Sequence, residues 1–142
     1  MSYLKEIDRN GRDANPFFSL MGVEIGKYGD GRAELYLPVR ADMLNGAGWL
    51  QGGLFVALCD EAMALALFSC LDDATNIATI SESTSFLEGV KCGRIRACAW
   101  VVKLGRRVAF LEGQVISEKG SVLSMTKASF AIMPKRQTDK QQ

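Results

Sequence analysis

The sequence predicts an α+β domain in which one antiparallel sheet curls around a single buried helix. Three observations point there. The stretch "GLFVALCDEAMALALFSC", residues 53–70, has no proline and little β-branching, and its apolar residues run all the way round. Such a helix has to be covered on most sides. Four later runs, "IATISESTSFLEGV", "GRIRACAWVVKL", "RRVAFLEGQVISE" and "SVLSMTKASFAIM", are rich in β-formers and joined by glycine-containing turns. Successive long strands with short turns imply an antiparallel meander. A helix that needs cover and a sheet with a face to bury are both satisfied when the sheet wraps the helix.

Taken in order, residues 1–20 are mixed in character. "NPFFSLMG" reads as a short helical turn, with Asn15 as cap, Pro16 in the first turn and Gly22 as the stop. "VEIGKY" and "RAELYLPV" are strands separated by "GDG", a hairpin signal. Residues 43–53, "MLNGAGWLQGG", form a glycine-rich lead into the buried helix, and "LDDATN" ends it. The last strand alternates clearly, with Val122, Ser124, Thr126, Ala128 and Phe130 on one face. The 142 residues fit a single domain, with a core over 15–134 and a frayed tail at 135–142.

Composition removes several function classes. A net charge of +1 leaves no nucleic-acid footprint. "MSYLKEIDRNGR" is too charged for a signal-peptide core, and the buried segment is about 18 residues long with two acids near its centre, so no membrane span is expected. The four cysteines form no C-x-x-C pair, which fits reduced thiols in a cytoplasmic protein. The chain has 0 histidines, which excludes histidine triads, H-E-x-x-H zinc sites and an imidazole base. Proton transfer must use carboxylates, hydroxyls, amides, lysines or water.

Asp60 and Glu61 interrupt the buried helix. Neighbours on a helix are about 100° apart, so the two acids need separate explanations. Gly52 and Gly53 open that helix, where free N–H groups and the positive dipole end suit a developing oxyanion. A tight turn feeding a buried helix would favour glycine too. "GAGWLQ" begins like a dinucleotide fingerprint, but Gln51 stands at the third glycine and the parallel βαβ context is missing. Cys59, with no nearby cation, reads as buried filler.

The run from Asn45 through Gln51-Gly52-Gly53 to Asp60, the strand "TISESTSFLEGVKCG" and the turn "KLGRRVAF" resemble the hotdog fold. More narrowly, they resemble the phenylacetate-degradation (PaaI-like) acyl-CoA thioesterases. The resemblance spans residues 15–134 and implies hydrolysis of an acyl- or aryl-CoA thioester to free acid and coenzyme A, with no cofactor and no metal. It makes Asp60 the nucleophile or general base; a buried aspartate bonded to a neighbouring subunit or a cap is the alternative. Glu61 is read as structural. Gln51 stands where these proteins carry histidine; its amide can position groups but cannot titrate. Asn45 matches a position that places the thioester or water, although turn chemistry explains it as well. Thr79 matches a hydroxyl that contacts the attacking water, against its plain value as a β-former. Arg106 and Arg107 are matched to coenzyme A phosphates, against a solvated hairpin tip.

Gly52 and Asp60 lie eight residues apart, about 12 Å along one helix. Both must approach one carbonyl, so the expected assembly is a homodimer with shared active sites, or a dimer of such dimers. Two rivals are a non-catalytic acyl-CoA binder and an acyl thioester hydratase or dehydratase. The latter would need an Asp–His pair.

Overall fold

The computed structural model describes residues 2–135. The expected frayed tail, 135–142, lies outside them except for Lys135, whose N–H donates to Ala74 O at 2.9 Å. The chain begins with a helix that the mixed composition of residues 1–20 conceals. In α1 (Tyr3–Asn10), the Ser2 hydroxyl accepts from Lys5 N–H, and the single buried residue is Ile7, part of the main core. α2 (Pro16–Met21) is built as expected. Asn15 Oδ1 accepts from Phe17 and Phe18 N–H at 3.0 and 3.4 Å, and Gly22 closes the helix at φ 76°.

β1 (Glu24–Gly29) and β2 (Arg32–Pro38) form the anticipated hairpin, turned by Asp30 at φ 51° and Gly31 at φ 78°. The buried helix, α3, spans Gly52–Phe68, starting one residue earlier and ending two earlier than expected. β3 (Thr75–Phe86), β4 (Arg94–Leu104), β5 (Val108–Ile116) and β6 (Val122–Pro134) follow.

The sheet is antiparallel throughout, in the order β1-β2-β4-β5-β6-β3. The four-strand meander is therefore corrected to three strands, β4 to β6, with β3 at the far edge. β4 has no free edge to offer: β2 pairs with it from Arg32↔Trp100 to Pro38↔Arg94, and β5 holds the other side. β6 does have one, and β3 takes it, from Thr75↔Pro134 to Phe86↔Ser124.

α3 lies in the concave face. Leu58, Leu65 and Leu67 are at most 1% exposed, each contributing about 2 kcal/mol of transfer free energy. The helix sinks deepest opposite Gly113 of β5, where an added Cβ would stand 2.4 Å from Cys59 Sγ. Only glycine permits that approach, which seats the residue next to Asp60 against the sheet. One stripe of α3 stays partly open. Val56, Ala57, Asp60, Ala64 and Phe68, at helical spacing, are all half-buried. Beside it runs β3, paired on one side only among the described residues, with Ile80, Phe86 and, just past its end, Leu87 exposed at 56–57%.

Candidate active site

The two acids of α3 part company as the helical geometry requires. Glu61 turns toward the N-terminal helices, where Asn15 Nδ2 donates to its Oε2 at 3.1 Å and to the Tyr3 hydroxyl at 2.8 Å. Burial raises the Glu61 carboxyl above its usual range, Asn15 pulls it back, and Asp60 adds to the rise. Glu61 thus ties α1 and α2 to α3, which is a structural task.

Asp60 turns toward the sheet edge. The Thr79 hydroxyl donates to its Oδ1 at 3.0 Å. Thr79 reaches that position because β3 carries a bulge: Thr79 faces Phe130 and Ser81 faces Ser129, leaving Ile80 as the extra residue. The bulge also changes which residues share the inner face. Beyond it, Glu82 and Thr84 point inward, and Thr84 hydrogen-bonds Thr126 at 2.8 Å. Glu82 meets Asp60 there, and its carboxyl is pushed up to about 7, first by burial and then by Asp60. No local signal in the sequence marks Glu82. A plain alternation places it opposite Thr79, and only the bulge brings the two to one carboxylate.

That raised value has a sign. A carboxyl that holds its proton more tightly when folded contributes stability that is fully present below about pH 4.5 and lost as pH climbs through about 7. Wild-type protein should therefore lose more melting temperature than Glu82→Gln between about pH 5 and pH 8. Paired thermal melts at the two pH values check this; parallel losses would contradict it.

At the start of the same helix, Gln51 is the N-cap, and its side-chain oxygen accepts from Gly53 N–H. Gly52 N–H donates to nothing among the described residues. The Phe86 ring lies against Gly52, 3.4 Å from where a Cβ would be, and edge-on to Phe55 with centroids 6.2 Å apart. Asn45 is engaged in its loop: its Oδ1 accepts from Ala47 and Trp49 N–H at 3.0 and 3.2 Å. That is the turn chemistry already weighed for it, and it shapes the approach to Gly52. Gly52, Gln51 and Asn45 thus group at one end of α3, while Asp60, Thr79 and Glu82 group two turns away.

Arg106 and Arg107 are exposed at the β4–β5 hairpin tip. Arg107 O accepts from Ile132 N–H at 2.8 Å, and Ile132 pairs with Ile77 of β3. The tip therefore sits at the Thr79 end of the sheet, two strand spacings across, roughly 10 Å. Cys59 is buried and its thiol is pushed up to about 12, chiefly by burial, so it is no nucleophile. No group of three His, Cys, Asp or Glu side chains suited to a metal occurs among the described residues, and no helix among them is long and apolar enough to cross a membrane.

An open cleft of about 470 Å³ runs beside Asp60, bounded by Tyr3, Glu61, Ala64, Phe68, Asn76, Ile77, Ala78, Thr79 and Phe130. A smaller cavity of about 190 Å³ lies on the outer sheet face near Trp100, Gln114 and Met125. Its only charges, Glu112 and Lys127, face each other 3.9 Å apart. The Asp60 cleft is the chemically equipped one.

An antiparallel six-strand sheet packed around one buried helix is the hotdog architecture, and a thioester hydrolase fits what it resembles. Residues 47–124, more than half the chain, match the thioesterase superfamily, and the chain belongs to it. A thioesterase from Haemophilus influenzae has a similar structure, with 24% identity, a TM-score of 0.80 and 84% of each chain covered. A mutant of the phenylacetic acid degradation protein PaaI from Thermus thermophilus is similar at 29% identity and a TM-score of 0.76, over 82% of this chain and 98% of that one. Among sequences, a 1,4-dihydroxy-2-naphthoyl-CoA hydrolase from Listeria monocytogenes is 22% identical over 82% of this chain and 94% of its own.

Proposed function

We propose that the protein hydrolyses acyl- or aryl-CoA thioesters to the free acid and coenzyme A, in active sites shared between two copies. The observation that supports this most is the separation within one chain of two complementary half-sites. Asp60, oriented by Thr79, occupies the open stripe of α3. Gly52, with its N–H free, opens the same helix about 12 Å away. A twofold that sets two α3 stripes antiparallel brings Asp60 of one copy to Gly52 of the other. The same twofold gives the unpaired edge of β3 a partner strand and covers Ile80 and Leu87.

In that arrangement, the thioester carbonyl oxygen points at Gly52 N–H, where the helix dipole stabilises the negative charge that develops. Asp60 either attacks the carbonyl carbon, giving an anhydride that water cleaves, or takes a proton from the attacking water. Coenzyme A leaves as the thiolate and takes up a proton, the one Asp60 has accepted in the general-base route or one from solvent in the anhydride route. Gln51 keeps the loop in place through its cap and does no proton transfer. The Phe86 ring beside Gly52 offers apolar contact to the acyl or aryl group. No metal or cofactor takes part, and the reduced thiols fit a cytoplasmic setting.

A second reading, a non-catalytic acyl-CoA binder, draws on Gln51, which caps its helix where a titratable histidine would be expected. Thiol release from a panel of acyl-CoAs by purified protein, beside the affinity for a non-hydrolysable analogue, separates the two. Turnover supports hydrolysis; tight analogue binding with no thiol released across the panel overturns it.

The hairpin cations make a further prediction. Arg106 and Arg107 enter no ion pair among the described residues and stand at the Asp60 end of the sheet. Replacing both by alanine should raise KM for acyl-CoA by at least about tenfold, the loss expected if even one of them makes a charged contact. The same acyl group on a short pantetheine arm should be hydrolysed as before. Equal losses on both substrates would make the turn merely structural.

A further inference from the structure

Glu82 has no task in the chemistry above, yet it lies on the same inner face of β3 as Thr79, the residue that holds Asp60. We infer that Glu82 is a positioning residue: it and Asp60 hold one proton between them, which aims Asp60 at the reacting carbonyl and sets an alkaline limit on the reaction. The inference rests on Asp60 acting on the thioester, as proposed above.

Three observations support it. The β3 bulge places Thr79 and Glu82 on the same inner face, three residues apart, so Asp60 is approached by both. Glu82 Oε2 is buried and has no hydrogen-bond partner among the described residues, an expensive state for a charged oxygen. A proton shared with Asp60 supplies the missing bond. Finally, no cation among the described residues faces the pair. The titratable groups of α3 that act there are Asp60 and Cys59, and the Cys59 thiol is neutral with a value near 12. β6 presents Ala128 opposite Glu82, with Thr126 on the same face, while Lys127 points to the other face, toward Glu112.

Two neighbouring carboxyls, with no cation among the described residues to neutralise them, cannot both ionise cheaply. Thr79 donates to Asp60, so the proton of the pair sits on Glu82. Asp60 is then clamped between two donors with its remaining lone pairs directed at the cleft. Once Glu82 ionises, near pH 7, the clamp becomes a repulsion. The site then carries a second negative charge just where an oxyanion and a thiolate must form.

The test is the pH profile of kcat/KM on a hydrolysed acyl-CoA, which reports groups of the free enzyme. Wild type should fall above about pH 7. Glu82→Gln keeps a hydrogen-bond donor of the same shape without the titration, so it should stay active and lose the alkaline fall. Glu82→Leu has no donor and should be at least about tenfold slower at every pH, the equivalent of one lost hydrogen bond. An alkaline fall that persists in Glu82→Gln, with Asp60→Asn inactive, overturns the inference and leaves the hydrolase reading standing. Full activity in Asp60→Asn overturns that reading and the positioning role together. A readout free of activity is carbon NMR of the side-chain carboxyls. Glu82 should titrate near pH 7 in wild type and at lower pH in Asp60→Asn. A Glu82 that titrates near 4.5 in wild type overturns the shared proton.

Discussion

Asp60→Asn is expected to lower thioester hydrolysis at least about a hundredfold while leaving the fold intact, since either of its roles needs a carboxylate. The substitution is nearly isosteric. An asparagine oxygen can still accept from Thr79, and its amide can donate to Glu82, so both neighbours keep a partner. Binding should persist, so the loss should fall on kcat and not on KM. Glu61→Gln is the matched control. It alters the adjacent acid, keeps an acceptor for Asn15, and borders the cleft without bonding Thr79, so its effect should stay within about threefold. Near-wild-type turnover by a folded Asp60→Asn protein would remove Asp60 from the chemistry.

Much of the architecture was legible because strong periodic signals are local. The apolar run of α3, the Asp30-Gly31 turn and the alternation of β6 each state their element within a dozen residues. What was not legible depended on distant events. α1 buries only Ile7, with Tyr3 and Leu4 packed beside it, so its apolar face is little more than one turn long and is masked by the charged residues around it. The place of β3 beyond β6 follows from β2 having occupied β4, which no reading of β3 alone contains.

The site divides along the same line. Asp60 stood out because an acid in an apolar helix has a cost that needs a reason. Asn15 was visible as a cap, but its second bond, to Glu61, crosses 46 residues. Glu82 was hidden by the bulge at Ile80: strict alternation in "TISESTSF" puts it on the face opposite Thr79. One inserted residue in the ladder reverses that parity. The bulge shows only when β3 is laid against β6.

The second large effect is expected at Gly52. Gly52→Val should fold, because Gly52 has no left-handed φ and an added Cβ would meet Phe86 at 3.4 Å, an ordinary contact. Gly53 is the contrast, since its Cβ would stand 2.7 Å from Gln51 Oε1 and disturb the cap. At Gly52 the branched side chain blocks a carbonyl from the N–H, and losing such a donor costs about a hundredfold or more in kcat. The sharpest measurement then combines two inactive proteins, Asp60→Asn and Gly52→Val, unfolded and reassembled together. If each site takes Asp60 from one copy and Gly52 from the other, a mixed dimer has one site with both lesions and one with neither. Random pairing makes about half the dimers mixed, so roughly a quarter of wild-type sites should return, while each variant reassembled alone stays inactive. Mixing that restores nothing, with heterodimers confirmed by mass, would contradict a site shared between Asp60 and Gly52.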